Sequence, residues 1–322
     1  MRIPRFVLPS EKGEACYHCM SRTVNGEKLF EEDDREMLRR QMWGVAEFCG
    51  VEVITYTIMP NHFHVLVRIP KKGKVSDKEL LRRYRLLHPR SNKYQIASLE
   101  LIEKQLALNT PEGVAWRERM MRLMCDLSEF MKLLKQRFSI WFNRTHSRFG
   151  TLWSERFKSI LVEDGYSLLT MAAYIDLNCV RARLAADPKD YRFCGYAEAV
   201  AGRNVARTGL SRVYGHEGNE WTEAAPRYRA ELMGTGSKAK EGKGAISREV
   251  FEQAMRENCE VPLATALRCQ WRYMSYGVIF GSRDFVARHK ADYIVRHHCV
   301  RRLLPEGLPL IAAWKNLAVL RR

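Results

Sequence analysis

TYTIMPNHFHVLVRIP, residues 55–70, contains two histidines, His62 and His64, separated by a single phenylalanine. The aliphatic and β-branched residues after them predict a strand, and a Pro-Asn pair predicts the turn that precedes it. Successive side chains of a strand point to opposite faces, so both imidazoles share one face and Phe63 lies on the other. Such a pair either binds a divalent metal or merely lies at the solvent edge of a sheet. The spacing alone favours the second interpretation.

The segments on either side predict an α+β domain in the order strand, helix, strand, strand. Residues 15–23 alternate as a strand does. Residues 31–49 carry acids in the first turn, basic residues further on and apolar residues at helical spacing, and Gly50 is a suitable C-terminal stop. Residues 51–59 form a second strand, which the Pro-Asn turn joins to a third at 63–69.

The chain then continues as helices with one further strand. Residues 71–93 hold nine Lys and Arg against two acids, and we interpret this bias as a phosphate-contacting surface rather than a merely solvated helical face. Residues 94–126 are helical and mixed in charge. An amphipathic helix at 127–150 is followed by a strand at 156–164 and a helix at 165–184.

The composition indicates a polyanion as partner. The 322 residues include 54 Lys and Arg against 37 Asp and Glu, a formal charge of +17. Nucleic acid is the favoured polyanion, and an anionic membrane surface is the alternative. No apolar run approaches the length of a membrane span, and the start lacks the apolar core of a secretory signal. The nine cysteines, an odd number scattered through the chain, suit the reducing cytoplasm.

Tyr174 and Asn178 lie at positions i and i+4 of the predicted 165–184 helix, so they share one face a turn apart. Each has an ordinary alternative: the tyrosine borders the core, and the asparagine is simply exposed. Together with His62 and His64, however, they provide the groups needed to cleave a phosphodiester. A tyrosine attacks a phosphodiester while a divalent cation, held by two imidazoles and one side-chain carbonyl, polarises a non-bridging oxygen. The product is a phosphotyrosine link.

The motifs YTIMPNHFHVLVRIP (56–70) and GTLWSERFKSILVEDGYSLLTMAAYIDLNCVRARLAADPKDYRFCGY (150–196) carry a resemblance to a known family. Over roughly residues 14–200 the sequence resembles the single-tyrosine HUH transposases, in particular the REP-associated tyrosine transposases. The resemblance implies a ferredoxin-like antiparallel sheet with the HUH strand at its centre and helices on one face. The family usually has Asn-Pro-Val where this chain has Asn-Cys-Val, a departure at Cys179 that removes no reacting group.

The resemblance also implies roles for individual residues. His62 and His64 match the histidine metal ligands, Tyr174 matches the nucleophile, and Asn178 matches the polar residue that completes the metal shell. The metal implied is Mg or Mn. The implied activity is metal-dependent cleavage and rejoining of single-stranded DNA at hairpin-flanked sites through a 5′-phosphotyrosine intermediate. The alternatives are a domesticated, catalytically inactive protein that binds DNA hairpins, and a phosphodiesterase that uses water while Tyr174 is structural.

The DNA-contacting residues are expected among polar and basic positions near these motifs and in the basic segment. They are Arg22, Asn61, Lys71, Lys72, Lys74, Arg82, Arg83, Arg156, Lys158 and Arg181. The partner expected is single-stranded DNA with a palindromic hairpin, bound by a monomer or a homodimer.

Three regions are expected along the chain. Residues 1–203 form the HUH transposase domain, with about 71–126 as a helical basic insertion. Residues 204–245 form a linker region that ends in a glycine- and lysine-rich stretch. Residues 246–322 form a helical C-terminal region in which Ser282 is a helix N-cap. This last region either inserts a basic helix into the paired stem of a hairpin or packs as a cap on the catalytic domain.

Overall fold

The computed structural model describes residues 5–88, 93–236, 277–297, 305–307 and 317–321. Within these residues the chain forms one seven-stranded sheet and eleven α-helices. The strands are β1 (Ala15–Arg22), β2 (Glu52–Met59), β3 (His62–Ile69), β4 (Lys158–Val162), β5 (Gly277–Ser282), β6 (Pro305–Gly307) and β7 (Leu317–Arg321). The helices are α1 (Glu32–Cys49), α2 (Asp77–Leu87), α3 (Lys93–Ala107), α4 (Pro111–Leu123), α5 (Leu127–Thr145), α6 (Tyr166–Asp176), α7 (Asn178–Arg181), α8 (Gly195–Val200), α9 (Asn204–Ser211), α10 (Trp221–Gly236) and α11 (Arg283–His297). Among the described helices, none combines the length and apolar character that a bilayer span requires.

The first four strands form the predicted ferredoxin-like sheet. Their spatial order is β2-β3-β1-β4, and each neighbouring pair is antiparallel. A two-residue turn joins β2 to β3, whereas α1 carries the chain across from β1 to β2. The α+β class is therefore confirmed, and among these four strands the HUH strand β3 is an inner one. Helices α2, α3 and α4 fill the stretch between β3 and α5, where a helical insertion was predicted.

The two faces of β3 pack against different helices. Phe63 lies against Trp153, with ring centroids 5.6 Å apart, and Trp153 in turn contacts Phe138 of α5. Helix α1 packs on the same face, where its Trp43 contacts Tyr56 of β2. Helices α1 and α5 therefore form the helical layer that was predicted for one face of the sheet. The histidine face is covered as well: the Thr57 hydroxyl, opposite His64 in the sheet, donates to the Ile175 carbonyl of α6 at 2.7 Å.

Helix α1 begins and ends where the sequence indicates. Glu31 and Asp34 form a reciprocal capping box that satisfies backbone N–H groups of the first turn. Gly50 adopts a left-handed conformation with φ of 63°, which glycine reaches without the steric cost of a Cβ. The predicted stop at Gly50 is confirmed.

Two predicted helices are shorter than expected. Helix α5 ends at Thr145 rather than at 150, because the Asn143 side chain bonds the Gly150 carbonyl at 3.0 Å and draws the chain into a loop. The predicted 165–184 helix breaks at Leu177 into α6 and α7. At this break Asn178 donates to the carbonyls of Tyr174 and Ile175. A side-chain amide that bonds nearby carbonyls competes with the regular helical pattern.

The assignment of 204–245 to a linker region is wrong for its described part. Residues 204–236 form α9 and α10, which pack on the sheet edge and on α6. Gly209 sits so close to β2 that an added Cβ would lie 2.3 Å from the Val53 carbonyl oxygen. Ala224, Tyr228 and Leu232 of α10 are buried at helical spacing, a periodicity that the glycine-rich composition further on obscured. Residues 237–245 lie outside the described residues.

The expectation of a wholly helical C-terminal region also needs correction. Strand β5 pairs in parallel with β4, β7 pairs with β5, and β6 closes this edge of the sheet. Only α11 is helical in the described part of the region, where Ser282 accepts a hydrogen bond from the Phe285 amide at 3.2 Å, as predicted for an N-cap. The helix buries Tyr293 against Phe6. The run Val-Ile-Phe between glycines is too short for periodicity to separate helix from strand. Residues 246–276 lie outside the described residues.

Candidate active site

Four side chains from three elements meet on the histidine face of the sheet. His62 and His64 of β3 have ring centroids 5.0 Å apart. Tyr174 of α6 places its ring edge-on to His64 at 5.9 Å and to His18 of β1 at 6.0 Å. The strand alternation and the helix that covers this face therefore bring together the predicted histidines and the predicted tyrosine.

His62 lies at the start of β3 and is held by its sequence neighbour. The Asn61 amide nitrogen donates to the Gly26 carbonyl at 2.9 Å, so its carbonyl oxygen faces His62 Nδ1, 2.6 Å away. That oxygen only accepts, so His62 Nδ1 carries the proton and Nε2 has the lone pair. Asn61 was expected to contact DNA, but both ends of its amide are engaged inside the protein.

His64 is oriented by a residue that the sequence analysis missed. His18 Nε2 lies 2.8 Å from His64 Nδ1, and the two side chains are only 1% and 2% exposed. If His64 uses Nε2 as a ligand, its Nδ1 must donate to His18. Histidine ligands of metals usually have such a partner on the second ring nitrogen. The alternation of β1 could have shown that His18 shares a face with Arg22, but not that this face meets His64.

His62 and His64 are both held in the neutral form that binds metals. Burial and the positive charge of Arg22 lower the pKa of His62 to about 4. Burial, followed by the neighbouring His18 and His62, lowers the pKa of His64 well below its ordinary value. A neutral imidazole keeps one lone pair for a cation.

Asn178 and Arg181 complete the surroundings of Tyr174. The Asn178 amide nitrogen donates to Tyr174 and Ile175 carbonyls at 3.1 and 3.3 Å, which leaves the amide oxygen as its atom suited to a cation. Arg181 donates to the Tyr174 carbonyl at 3.0 Å and lays its guanidinium over the phenol ring, 5.3 Å from the centroid. Tyr174 itself is only 3% exposed.

This donor set fits a divalent cation. Asn61 and His18 occupy one ring nitrogen each of His62 and His64, so the two Nε2 atoms are the ones that would bind. Imidazole nitrogens and an amide oxygen are acceptable ligands for Mn, and Mg accepts them when water and phosphate fill its other positions. The residues present are therefore consistent with the metal that the sequence implied.

The basic residues predicted to bind DNA fall into three groups. Arg22 is the sheet neighbour of His62, and Lys158 pairs with Met20 beside it. Arg156 lies two residues before β4, and Arg181 is the last residue of α7. By contrast Lys71, Lys72 and Lys74 follow the far end of β3, which at about 3.3 Å per residue is roughly 23 Å from His62. The remaining two, Arg82 and Arg83, pair with Glu79 on α2.

Asp176 is a buried carboxyl that fixes the helix carrying Tyr174. It accepts hydrogen bonds from the Thr55 hydroxyl at 2.7 Å, the Tyr228 hydroxyl at 2.6 Å and the Tyr196 amide at 3.3 Å. These bonds tie α6 to β2, α8 and α10. Complete burial nevertheless raises its pKa from 3.8 to about 7, because the ionised form loses its hydration.

Asp176→Asn should reveal this raised pKa. Between pH 3.8 and about 7 the unfolded chain has ionised Asp176 while the folded protein keeps it protonated. Its contribution to the free energy of unfolding therefore falls as pH rises through this window and is constant above it. Denaturant unfolding of both proteins from pH 4 to pH 8 should show the wild type losing stability relative to the variant. A difference that does not vary with pH would show that the pKa of Asp176 is ordinary.

A second group of possible ligands lies elsewhere. His216, Glu220 and Glu223 place ligand atoms within 4.8 Å of one another near the start of α10, and both glutamates are exposed. His216 already pairs with Glu220. An ordinary surface ion pair accounts for this group.

Comparison with known proteins gives a family match for the N-terminal part. Residues 12–82 match the family model described as "Transposase IS200 like". This span contains β1, β2 and β3 with all three histidines, and it ends before Tyr174 and Asn178. No curated protein matches the chain. Among solved structures, that of a REP-associated tyrosine transposase bound to a REP hairpin is similar, with 13% identity and a TM-score of 0.37 over 63% of this chain and 86% of that chain.

The family match covers the site residues that lie on the sheet, His18, His62 and His64. It includes the Pro-Asn turn and the HUH strand, on which the resemblance was first based. It supports a transposase-type role in DNA processing. Residues 12–82 thus carry the features of an IS200-like transposase, and the resemblance predicted from the sequence is confirmed.

Proposed function

We propose that this protein cleaves and rejoins single-stranded DNA beside hairpins, with a divalent metal and through a 5′-phosphotyrosine intermediate. The observation that carries the proposal is the packing of Tyr174 against His64 and His18, with the Asn178 amide donating to the Tyr174 carbonyl. In this proposal Tyr174 is the nucleophile, and His62, His64 and Asn178 are the cation ligands. The family match and the charge of +17 favour DNA as the substrate.

In the proposed reaction the phenol oxygen of Tyr174 attacks a backbone phosphorus. A phosphorus–oxygen bond to the tyrosine forms while the bond to the 3′ oxygen breaks, so one phosphodiester replaces another. The phenol gives up its proton to solvent and the departing 3′ oxygen takes one up. A divalent cation bound by His62, His64 and Asn178 would polarise a non-bridging oxygen of this phosphate. Attack by a 3′ hydroxyl on the phosphotyrosine reverses the step and rejoins the strand.

The neighbouring side chains have supporting roles in this scheme. Asn61 and His18 fix the ring orientation of the two ligand histidines, so less reorganisation is needed when an ion binds. Tyr174 is nearly buried, so a phosphate reaches it only after the covering side chains move. Arg181 lies over the phenol ring and is the cation that the incoming phosphate would meet there.

The salt dependence of DNA binding should identify the phosphate contacts. Arg22 and Arg156 are exposed at the histidine end of the sheet, whereas Lys71 and Lys74 are exposed at the far end. Each contact with a single strand contributes roughly 0.7 to the slope of log K against log salt. We therefore expect Arg22→Gln with Arg156→Gln to flatten the slope by about 1.4, and the matched lysine pair, changed in the same way, to leave it unchanged.

Fluorescence anisotropy with a labelled single strand at several salt concentrations measures these slopes. If the lysine pair flattens the slope and the arginine pair does not, the DNA follows the basic segment instead of the histidine end.

A cleavage assay tests the proposed function itself. The protein is incubated with end-labelled single-stranded hairpin DNA and Mn²⁺, and the products are separated under denaturing conditions. A labelled band that migrates with the protein is the expected result. Cleavage without this band would favour a phosphodiesterase that uses water, and binding without cleavage would favour an inactive hairpin-binding protein.

A further inference from the structure

Phe149 is the most exposed large apolar residue among those described, with 95% of its surface accessible. Its aromatic neighbours in the chain are buried: Phe142, Trp153 and Phe157 all belong to the core. An isolated exposed phenylalanine is unremarkable by itself. Phe149 differs because it lies in the loop between α5 and β4, which is anchored to the histidine end of the sheet.

The loop that carries Phe149 is held in place by its own hydrogen bonds. The Arg148 amide donates to the Asn143 carbonyl at 2.8 Å, and the Asn143 side chain donates to the Gly150 carbonyl at 3.0 Å. The Arg148 guanidinium reaches the Thr151 carbonyl at 3.3 Å. These bonds flank Phe149 on both sides, so the ring is presented from a fixed backbone.

The same loop is anchored to the histidine end of the sheet. The Val24 amide donates to the Leu152 carbonyl at 2.9 Å, and the Ser154 amide donates to the Arg22 carbonyl at 3.0 Å. Arg22 is the direct sheet neighbour of His62. Three residues separate Phe149 from the bridge at Trp153, so the Cα of Phe149 lies at most about 14 Å from the strand end that carries the site.

We propose that Phe149 is a stacking platform for an unpaired base of the DNA strand that enters the site. This proposal rests on the proposed function, because it takes single-stranded DNA as the substrate. When a base stacks on an exposed aromatic ring, the apolar faces of both are removed from water. A rigid backbone keeps the loss of conformational entropy on binding small. Arg144 in the last turn of α5 and Arg148 in the loop supply positive charge for the adjacent phosphates. Bases inside a duplex already stack on one another, so the platform selects for unpaired strands.

Anisotropy titrations of Phe149→Ala, Phe149→Trp and a matched control test this proposal. The control is Leu108→Ala, which removes another strongly exposed apolar side chain (77%) from the turn between α3 and α4. The probes are a labelled unstructured single strand of thymidines and a blunt duplex of the same length. Base–aromatic stacking is worth about 1–3 kcal/mol, so Phe149→Ala should weaken single-strand binding by roughly 5- to 150-fold. Phe149→Trp should retain wild-type affinity, and Leu108→Ala should have no effect.

The remaining outcomes separate this inference from the proposed function. Unchanged single-strand affinity in Phe149→Ala, or an equal loss on the duplex, overturns the stacking role while the cleavage site stands. A shift in oligomeric state of Phe149→Ala in sedimentation, without loss of DNA affinity, would show that the ring contacts a second copy of the chain. Wild-type protein that binds no single strand would overturn both proposals.

Discussion

Replacing Tyr174 by phenylalanine should abolish the covalent protein–DNA adduct while leaving DNA affinity nearly unchanged. The substitution removes only the phenol oxygen and keeps the ring that packs against His18 and His64. Removing the nucleophile of a covalent enzyme typically costs a factor of at least about 10³ in turnover. The adduct is measured on a denaturing gel, and the affinity by anisotropy with the same DNA.

Tyr166→Phe is the matched control, because Tyr166 begins the same helix and is partly exposed. Eight residues of helix place it about 12 Å from Tyr174 along the axis. Full adduct formation is expected in this variant. An adduct that persists in Tyr174→Phe and disappears in Tyr166→Phe would assign the nucleophile to Tyr166.

Replacing His62 by alanine should lower Mn²⁺ affinity by at least about 100-fold and remove cleavage, because the loss of a ligand exceeds the 10- to 100-fold cost of losing a ligand's hydrogen-bond partner. His62 is partly exposed at the start of its strand, so the fold should survive. Calorimetric titration of the protein with Mn²⁺ gives the affinity without reliance on activity. Chelation of the wild type should mimic the substitution, and added Mg or Mn should reverse it.

His64 is a less direct choice for this experiment. It is buried and bonded to His18, so His64→Ala would leave a buried ring nitrogen of His18 without its partner at a cost of about 1–3 kcal/mol in stability. His18→Asn is the informative companion, since it should lower Mn²⁺ affinity by about 10- to 100-fold while keeping both ligands. Wild-type Mn²⁺ affinity in His62→Ala would show that His62 is not a ligand of the metal.

Local periodicity explains which parts of the site could be predicted. The alternation of β3 is enough to place His62 and His64 on one face. The four-residue spacing is enough to predict that Asn178 lies near Tyr174, and its amide donates to the Tyr174 carbonyl although the helix breaks at Leu177. The order of strands and helices, with the turn at Pro60-Asn61, is compatible with few topologies other than the ferredoxin-like sheet. These features depend only on neighbours in the chain.

The features that could not be predicted depend on partners distant in sequence. His18 reaches His64 only because β1 and β3 pair with Met20 opposite His64, which puts His18 on the diagonal. The basic segment follows the HUH motif in sequence, yet the length of β3 carries Lys71 to the other end of the sheet. Strand β5 pairs with β4, and the local sequence of residues 277–282 does not show that β4 is available for pairing.

Mass spectrometry of the protein–DNA adduct tests the central claim most directly. After nuclease trimming and trypsin digestion, the peptide of residues 159–181 contains both Tyr166 and Tyr174, so fragment ions between the two tyrosines localise the modification. A 5′-nucleotide remnant on Tyr174, formed only with Mg or Mn present, is the expected result. A remnant on Tyr166, or cleaved DNA with an unmodified peptide, would contradict it.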